Sequence, residues 1–297
     1  MMDGRVPRPA GDNIQLGGIL YQLNGAVVRG DMIVYTASVL DQEVWENILI
    51  RELYPCNNGI RRLENKEISI TSDGFDMFLA AKSTAHQAQR LEQHWLQPYG
   101  GGSSFVEAYG TLYTVRTFQK AVPLDAMLCQ SPIPLATALT LLNQLLEKVN
   151  DLHNAGLLHL HISPKKIYLL PDTHIILDYD CLFDKTHPEV YGCVEAPSCY
   201  DAPEIRLGNI QEICEAADLY SCCAIFFEML LGRPLQEIDV LGKRLLHTLS
   251  QFLPPDLGSI LFRGLHTLPN RRFHWAAELQ QALTGLQPFS SYQHITP

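Results

Sequence analysis

Residues 159–170 read HLHISPKKIYLL, and Asp178 follows in ILDYD. Two imidazoles (His159, His161), an ammonium (Lys166) and a carboxylate (Asp178) therefore stand close together along the chain. If the stretch is extended, His159 and His161 share a face and could offer two nitrogens to a metal ion. No cysteine or carboxylate stands at convincing ligand spacing, so packing outweighs metal binding as a reading of the pair. A neutral imidazole, with an ordinary pKa of about 6.5, could instead accept a proton from a hydroxyl. Cys181, Cys193 and Cys199 follow without a nearby base motif, and loop thiols of that kind are ordinarily inert.

The elements that must position these groups can be read from the pattern. ILYQLNGAVVRGDMIVYTASVL and WENILIREL are strand-like, rich in Val, Ile and Tyr, and broken at Asn-Gly and Arg-Gly-Asp. MFLAAKSTAHQAQRLEQHW reads as a polar helix, and SSFVEAYGTLYTVRTF as a hairpin turning at Tyr109-Gly110-Thr111. From PLATALTLLNQLLEKVNDLHNAG onward the chain is mainly helical. Leu135, Leu142, Leu145, Val149 and Leu152 recur at helix spacing, and Gly156 can end that helix in a left-handed cap. KIYLL and HIILDY are short strands, and EAADLYSCCAIFFEMLLGRPL is apolar on nearly every face, as a buried central helix should be. A strand-rich first part and a helix-rich second part, joined near QKAVP, predict two lobes.

Composition narrows the function. With 297 residues, 46% hydrophobic and 18% charged, the chain suits an ordinary globular protein with a substantial core. A net charge of −10 disfavours nucleic acid and anionic lipid as partners. The N-terminal MMDGRVPRPAGDN lacks the apolar stretch of a secretion signal, and no apolar run reaches the ~18 residues of a membrane span. The eight cysteines include no C-x-x-C pair, which favours free thiols and a cytoplasmic location.

Five segments in order, LHNAGLLHLHISPKKIYLL, IILDYD, DAPEIRLG, ADLYSCCAIFFEMLLGRPL and LPNRRFHWAAELQQAL, together resemble the carboxy-terminal lobe of the protein-kinase superfamily. GAVVRGDMIVYTA lies where the glycine-rich loop should be, and ILIRELYP, where V-A-I-K should be, is similar to bacterial kinases of the eukaryotic Ser/Thr type. The resemblance covers roughly residues 14–286. It implies an α+β, two-lobed fold, with a small β-rich lobe over 14–118, a helical lobe over 119–286, and short tails at 1–13 and 287–297. It also implies structural roles: Glu204 of A-P-E pairing with Arg272, Asp218 accepting backbone N–H groups of the catalytic loop, and His159 packing beneath that loop.

The chemical positions of the same frame depart from the family. His161 stands for the aspartate that orients the attacking hydroxyl, and Lys166 for the metal-binding asparagine. Val27, Arg29 and Met32 stand for the loop glycines, with Gly30 between them, and Arg51 for the lysine of the third strand. The helix glutamate that should pair with residue 51 is aligned with Gln87, which would abolish the ion pair. Only Asp178 keeps a metal ligand, while Tyr179 and Asp180 replace the rest of D-F-G. Leu160 removes the loop arginine that would clasp a phosphorylated segment. Arg116, at the position that gates the nucleotide, must find an acid such as Asp178 or else water.

These departures imply a pseudokinase, a binding, scaffolding or allosteric module for another protein, with no cofactor and with His161 dispensable to the fold. The rival reading is an ATP-dependent transferase using Asp178, Lys166 and Arg51. In that reading Arg51 and Asp178 would contact ATP and Asp178 would hold magnesium.

Overall fold

The structure is a computed structural model that describes residues 5–39, 47–99, 101–118, 121–129, 132–179, 182–186, 197–236 and 243–286. Asp180, Cys181 and Cys193 lie outside them. The chain divides into two compact units. The first comprises Met1–Ala121, Ala155–Leu157 and Tyr179–Glu195, and the second Val122–Asn154, Leu158–Asp178 and Ala196–Pro297.

The first unit is built on a six-stranded antiparallel sheet. Its strands are β1 (Asn13–Leu16), β2 (Ile19–Arg29), β3 (Met32–Val39), β4 (Asn47–Leu53), β7 (Gly102–Ala108) and β8 (Thr111–Phe118), in the order β1-β2-β3-β4-β8-β7. A separate hairpin, β5 (Ile60–Arg62) and β6 (Ile68–Ile70), precedes helix α1 (Ser72–Leu96). The core gathers Ile14, Leu23, Ile33, Tyr35, Ile50, Leu53 and Tyr113 from the sheet with Ile60, Ile68 and Phe78.

One of the expected breaks is not a turn, while the other two are. The break expected at Asn24-Gly25 is only a register shift between Leu23 and Gly25, and β2 runs on to Arg29. The reversal comes at Gly30-Asp31, where Gly30 has φ 52°, as the first residue of a two-residue hairpin turn requires. At the β7–β8 turn Tyr109 and Gly110 both have positive φ, 50° and 73°. A Cβ on Gly110 would meet the Ile68 carbonyl oxygen at 2.2 Å, so only glycine lets that turn close on β6.

Residues 5–12, expected as part of a tail, are packed: Arg5 and Arg8 are buried, and Gly11 and Leu23 share a backbone bond of 2.7 Å.

The second unit holds α2 (Leu124–Leu128), α3 (Leu135–Asn154), α4 (Pro203–Arg206), α5 (Glu215–Leu231), α6 (Lys243–Phe252), α7 (Pro255–Gly264) and α8 (Ala276–Thr284). A small antiparallel sheet of Val122–Pro123, Ile167–Leu169 and Ile175–Leu177 accompanies them. Helix α3 buries Leu142, Leu145, Val149 and Leu152 along one stripe and packs on α5 and α8. It stops before Gly156, whose φ is 78°. Helix α5 is buried nearly all round, including Cys222 and Cys223, and ends at Gly232 with φ 67°. Burial pushes the Cys223 thiol up to about 12. A strand-rich unit and a helical unit give the two-lobed α+β architecture that the kinase resemblance implies.

Candidate functional site

In the second unit the loop after α3 is organised by one carboxylate. Asp218, in the first turn of α5, is fully buried and accepts the N–H of Leu160 at 2.6 Å and of His159 at 2.9 Å. His153, at the end of α3, adds a third bond at 2.9 Å. Burial alone would raise the Asp218 pKa, but the bond and charge of His153 and the His159 N–H outweigh it and hold the carboxyl below its ordinary range. With its amide fixed in this way, Leu160 keeps φ 63°, a conformation that costs an ordinary L-residue about 1 kcal/mol or more.

His159 reaches the Asp178 carbonyl through Nε2 at 2.8 Å, and its Nδ1 lies 3.3 Å from the His161 N–H. One neutral tautomer satisfies both contacts: Nε2–H donates and Nδ1 accepts. Complete burial, then the charge of Lys166, push the imidazole down to about 4. The Lys166 carbonyl in turn accepts the Asp178 N–H at 2.8 Å. The loop frame is therefore fastened by main-chain bonds that tolerate the changed side chains.

His161 is 4% exposed, and its Nδ1 stands 3.2 Å from Asp201, two residues before Pro203. The Asp201 carboxylate also accepts the N–H and the hydroxyl of Ser198, at 2.9 and 2.8 Å. The imidazole is thus turned toward a carboxylate. His161, expected to be dispensable to the fold, has a buried partner in its own unit. The two histidines take separate partners rather than converging as ligands, and among the described residues no group of three or more His, Cys, Asp or Glu could hold a metal ion. Cys199 is exposed.

Near the end of the unit, Glu204 and Arg272 pair through two parallel bonds of 2.7 Å, both side chains buried. The guanidinium also donates to the carbonyls of His266, Ala216 and Thr267 and lies 4.9 Å from the Tyr220 ring centroid. The pairing implied for A-P-E is present.

In the first unit Arg51 has an acidic partner, which is Glu92 rather than a residue at position 87. Arg51 Nη1 lies 3.0 and 3.1 Å from the two Glu92 oxygens, and Arg116 Nη1 lies 2.7 Å from one of them. Ser103 donates to the other oxygen at 2.9 Å. The alignment to Gln87 fails because five residues turn an α-helix by about 140°. Phe78, Ala81, Ala85, Ala88, Glu92 and Trp95 recur every three or four residues and are buried, whereas Gln87 lies off that stripe. An acid inside an apolar stripe was the available signal. Arg116 is fully buried and reaches an acid, as its burial demands; that acid is Glu92, within its own unit.

The hairpin at the glycine-loop position is regularly paired up to Arg29 and Met32, with Val27 opposite Val34. Among the described residues, a cavity of about 20 Å³, room for about one water, lies beside Arg51 and Glu92 and is lined also by Met32, Gln89, Thr114 and Tyr179. Tyr179 packs on Trp95 with ring centroids 5.0 Å apart.

No protein-family model matches the chain. Among characterised proteins it is similar to the serine/threonine-protein kinase Pkn1 of Myxococcus xanthus, with 25% identity over 58% of the chain. It is also similar to the mouse ribosomal protein S6 kinase-like 1 (31% over 43%) and to the putative cyclin-dependent kinase F-2 of rice (31% over 38%). The chain is related to the protein kinases. The matched stretches span 27%, 24% and 36% of those kinases' own lengths. No helix among the described residues is long and apolar enough to cross a membrane.

Proposed function

We propose that the chain is a pseudokinase: a kinase-like fold that binds and regulates another protein in the cytoplasm without ordinary phosphoryl transfer. The observation that carries this reading is the engagement of His161 by Asp201. Phosphoryl transfer needs a carboxylate that orients the attacking hydroxyl and a pair of metal ions on the phosphates. Here the residue at the base position is buried and turned onto Asp201, which itself fastens the Ser198 turn. Lys166, a cation, stands where a metal ligand is required. The donor set therefore does not fit a magnesium pair. The regular pairing of Val27, Arg29 and Met32 adds support, because side chains occupy the positions where backbone would have to approach phosphate.

The test is purified protein incubated with radiolabelled ATP, magnesium and a general phosphoacceptor. No transfer is expected. Transfer that His161→Ala or Asp178→Ala abolishes would defeat the proposal.

One observation favours a second reading, an ATP-dependent transferase using Arg51, Lys166 and Asp178. The Arg51–Glu92 pair keeps a buried cation fixed at the position of the third-strand lysine. Calorimetry separates the two readings: the pseudokinase reading expects weak or absent ATP binding that is independent of magnesium, whereas micromolar, magnesium-dependent binding would support the transferase.

A further inference from the structure

Residues 5–16 meet β2 near its start and reach the turn that follows its end. Arg5 sits at the hairpin tip, donating through Nη1 to the Gly30 carbonyl at 2.7 Å and to the Tyr54 carbonyl at 2.6 Å. Gly11 and Asp12 bond Leu23 at 2.7 and 2.9 Å, and β1 then pairs from Asn13 opposite Gln22 to Leu16 opposite Ile19. The consequence at the tip is unusual, because Gly30, the turning residue of a two-residue hairpin, is buried. Such a tip would ordinarily be solvated and mobile.

The same segment closes a ring of hydrogen bonds around a buried carboxylate. The Arg8 N–H donates to the Tyr35 hydroxyl at 3.1 Å, and that hydroxyl donates to Glu52 at 2.7 Å. Arg62 binds both Glu52 oxygens, at 3.0 and 2.5 Å, and returns through Nε to the Val6 carbonyl at 2.9 Å. Arg8 also lies 4.6 Å from the Tyr109 ring centroid and 2.9 Å from Asp12, which takes Lys66 at 2.6 Å. Pro7 and Pro9 favour an extended backbone with three residues per turn, which places Arg5 and Arg8 on one face.

We propose that residues 5–12 are a strap that pins the tip of the β2–β3 hairpin, so that seating or release of the strap sets the mobility of that hairpin. The strap is held by a few side-chain anchors rather than by an apolar core: Val6, Pro9 and Ala10 are exposed. A segment anchored in this way can leave while the sheet stays folded, and any ligand that captured it would free the tip.

The experiment is amide hydrogen exchange on the full chain, comparing wild type with Arg5→Ala and, separately, Arg8→Ala. Arg5→Ala removes the bonds to the Gly30 and Tyr54 carbonyls and leaves the Glu52 ring intact. It should speed exchange across residues 28–33 by about tenfold while α5 keeps its wild-type protection. Arg8→Ala removes the contacts to Asp12 and Tyr109 while its main-chain N–H stays on Tyr35, so it should speed exchange at the strap, again with α5 unchanged. Unaltered exchange across 28–33 in Arg5→Ala would overturn the proposal. So would an equal rise in α5 for both variants, since that would make the strap part of the global fold rather than a separable device.

Discussion

Glu204 and Glu52 are both buried, and each holds an arginine through two bonds, but their surroundings differ. Around Glu204, Arg272 spends its remaining donors on the carbonyls of His266, Ala216 and Thr267, so the pair is closed by nearby backbone. Around Glu52, the partners Tyr35, Arg62 and Tyr113 come from three separate strands, and the strap completes the ring. The first joins residues 68 positions apart in the chain and is completed by main-chain carbonyls. The second is assembled by the tertiary fold and depends on every segment that enters it.

The comparison can be broken most directly at its stronger pole. Glu204→Ala leaves the Arg272 guanidinium buried beside carbonyls without its counter-charge and should cost roughly 3–5 kcal/mol, read from urea denaturation. A loss below about 1 kcal/mol would show that the pair is not the anchor of the second unit.

The next effect is a pH dependence in that same unit. His159 is held neutral, down to about 4, by burial and by Lys166, while an unfolded histidine titrates near ~6.5. Between these values the unfolded chain takes up a proton that the folded chain does not. Stability from this group is therefore full above about pH 6.5 and falls by roughly 3 kcal/mol as pH drops to about 4. Urea midpoints measured across that window should shift accordingly, and His159→Gln should flatten the slope. A slope unchanged by the substitution would assign it to other groups.

Glu52→Ala tests the other pole. The Arg62 side chain retains 9% exposure where that of Arg272 has none, so its charge can reach water more easily. The expected loss is about 2–3 kcal/mol, smaller than at Glu204 and accompanied by faster exchange of the strap. A loss exceeding that of Glu204→Ala would reverse the ranking.

The smallest effect is at His161. His161→Ala removes one bond from Asp201, which keeps both bonds to Ser198, so about 1 kcal/mol is expected in the same denaturation assay. A neutral result would return His161 to the role of a passive occupant.

What could be read from the sequence follows the same division. The Glu204–Arg272 pair and the grip of Asp218 on the loop were legible through the family resemblance, whose motifs fix partners far apart in the chain, and the cap at Gly156 through its helix end. Glu92 and Asp201 were not. Glu92 sits in a helix whose register to the sheet depends on tertiary packing, and a five-residue offset changed its face. Asp201 acquires meaning only once the chain brings it to His161. The Glu52 ring lay further out of reach, since Arg8, Tyr35, Arg62 and Tyr113 carry no shared local pattern.

The burial of α5 also gives the molecule a chemical clock. Cys222 and Cys223 lie at 0% and 1% exposure, and burial raises both thiols, so neither presents a thiolate to a labelling reagent. Cys56 and Cys129 are exposed and should react at once, and Cys199, exposed but with its thiol raised by partial burial and by Glu228, more slowly. A Cβ at Gly264 would meet the Cys223 sulfur at 2.3 Å, which shows how tightly α7 closes over it. Modification of the adjacent pair must therefore wait for the central helix to come out of the core. Its rate under native conditions reports how often that helix opens.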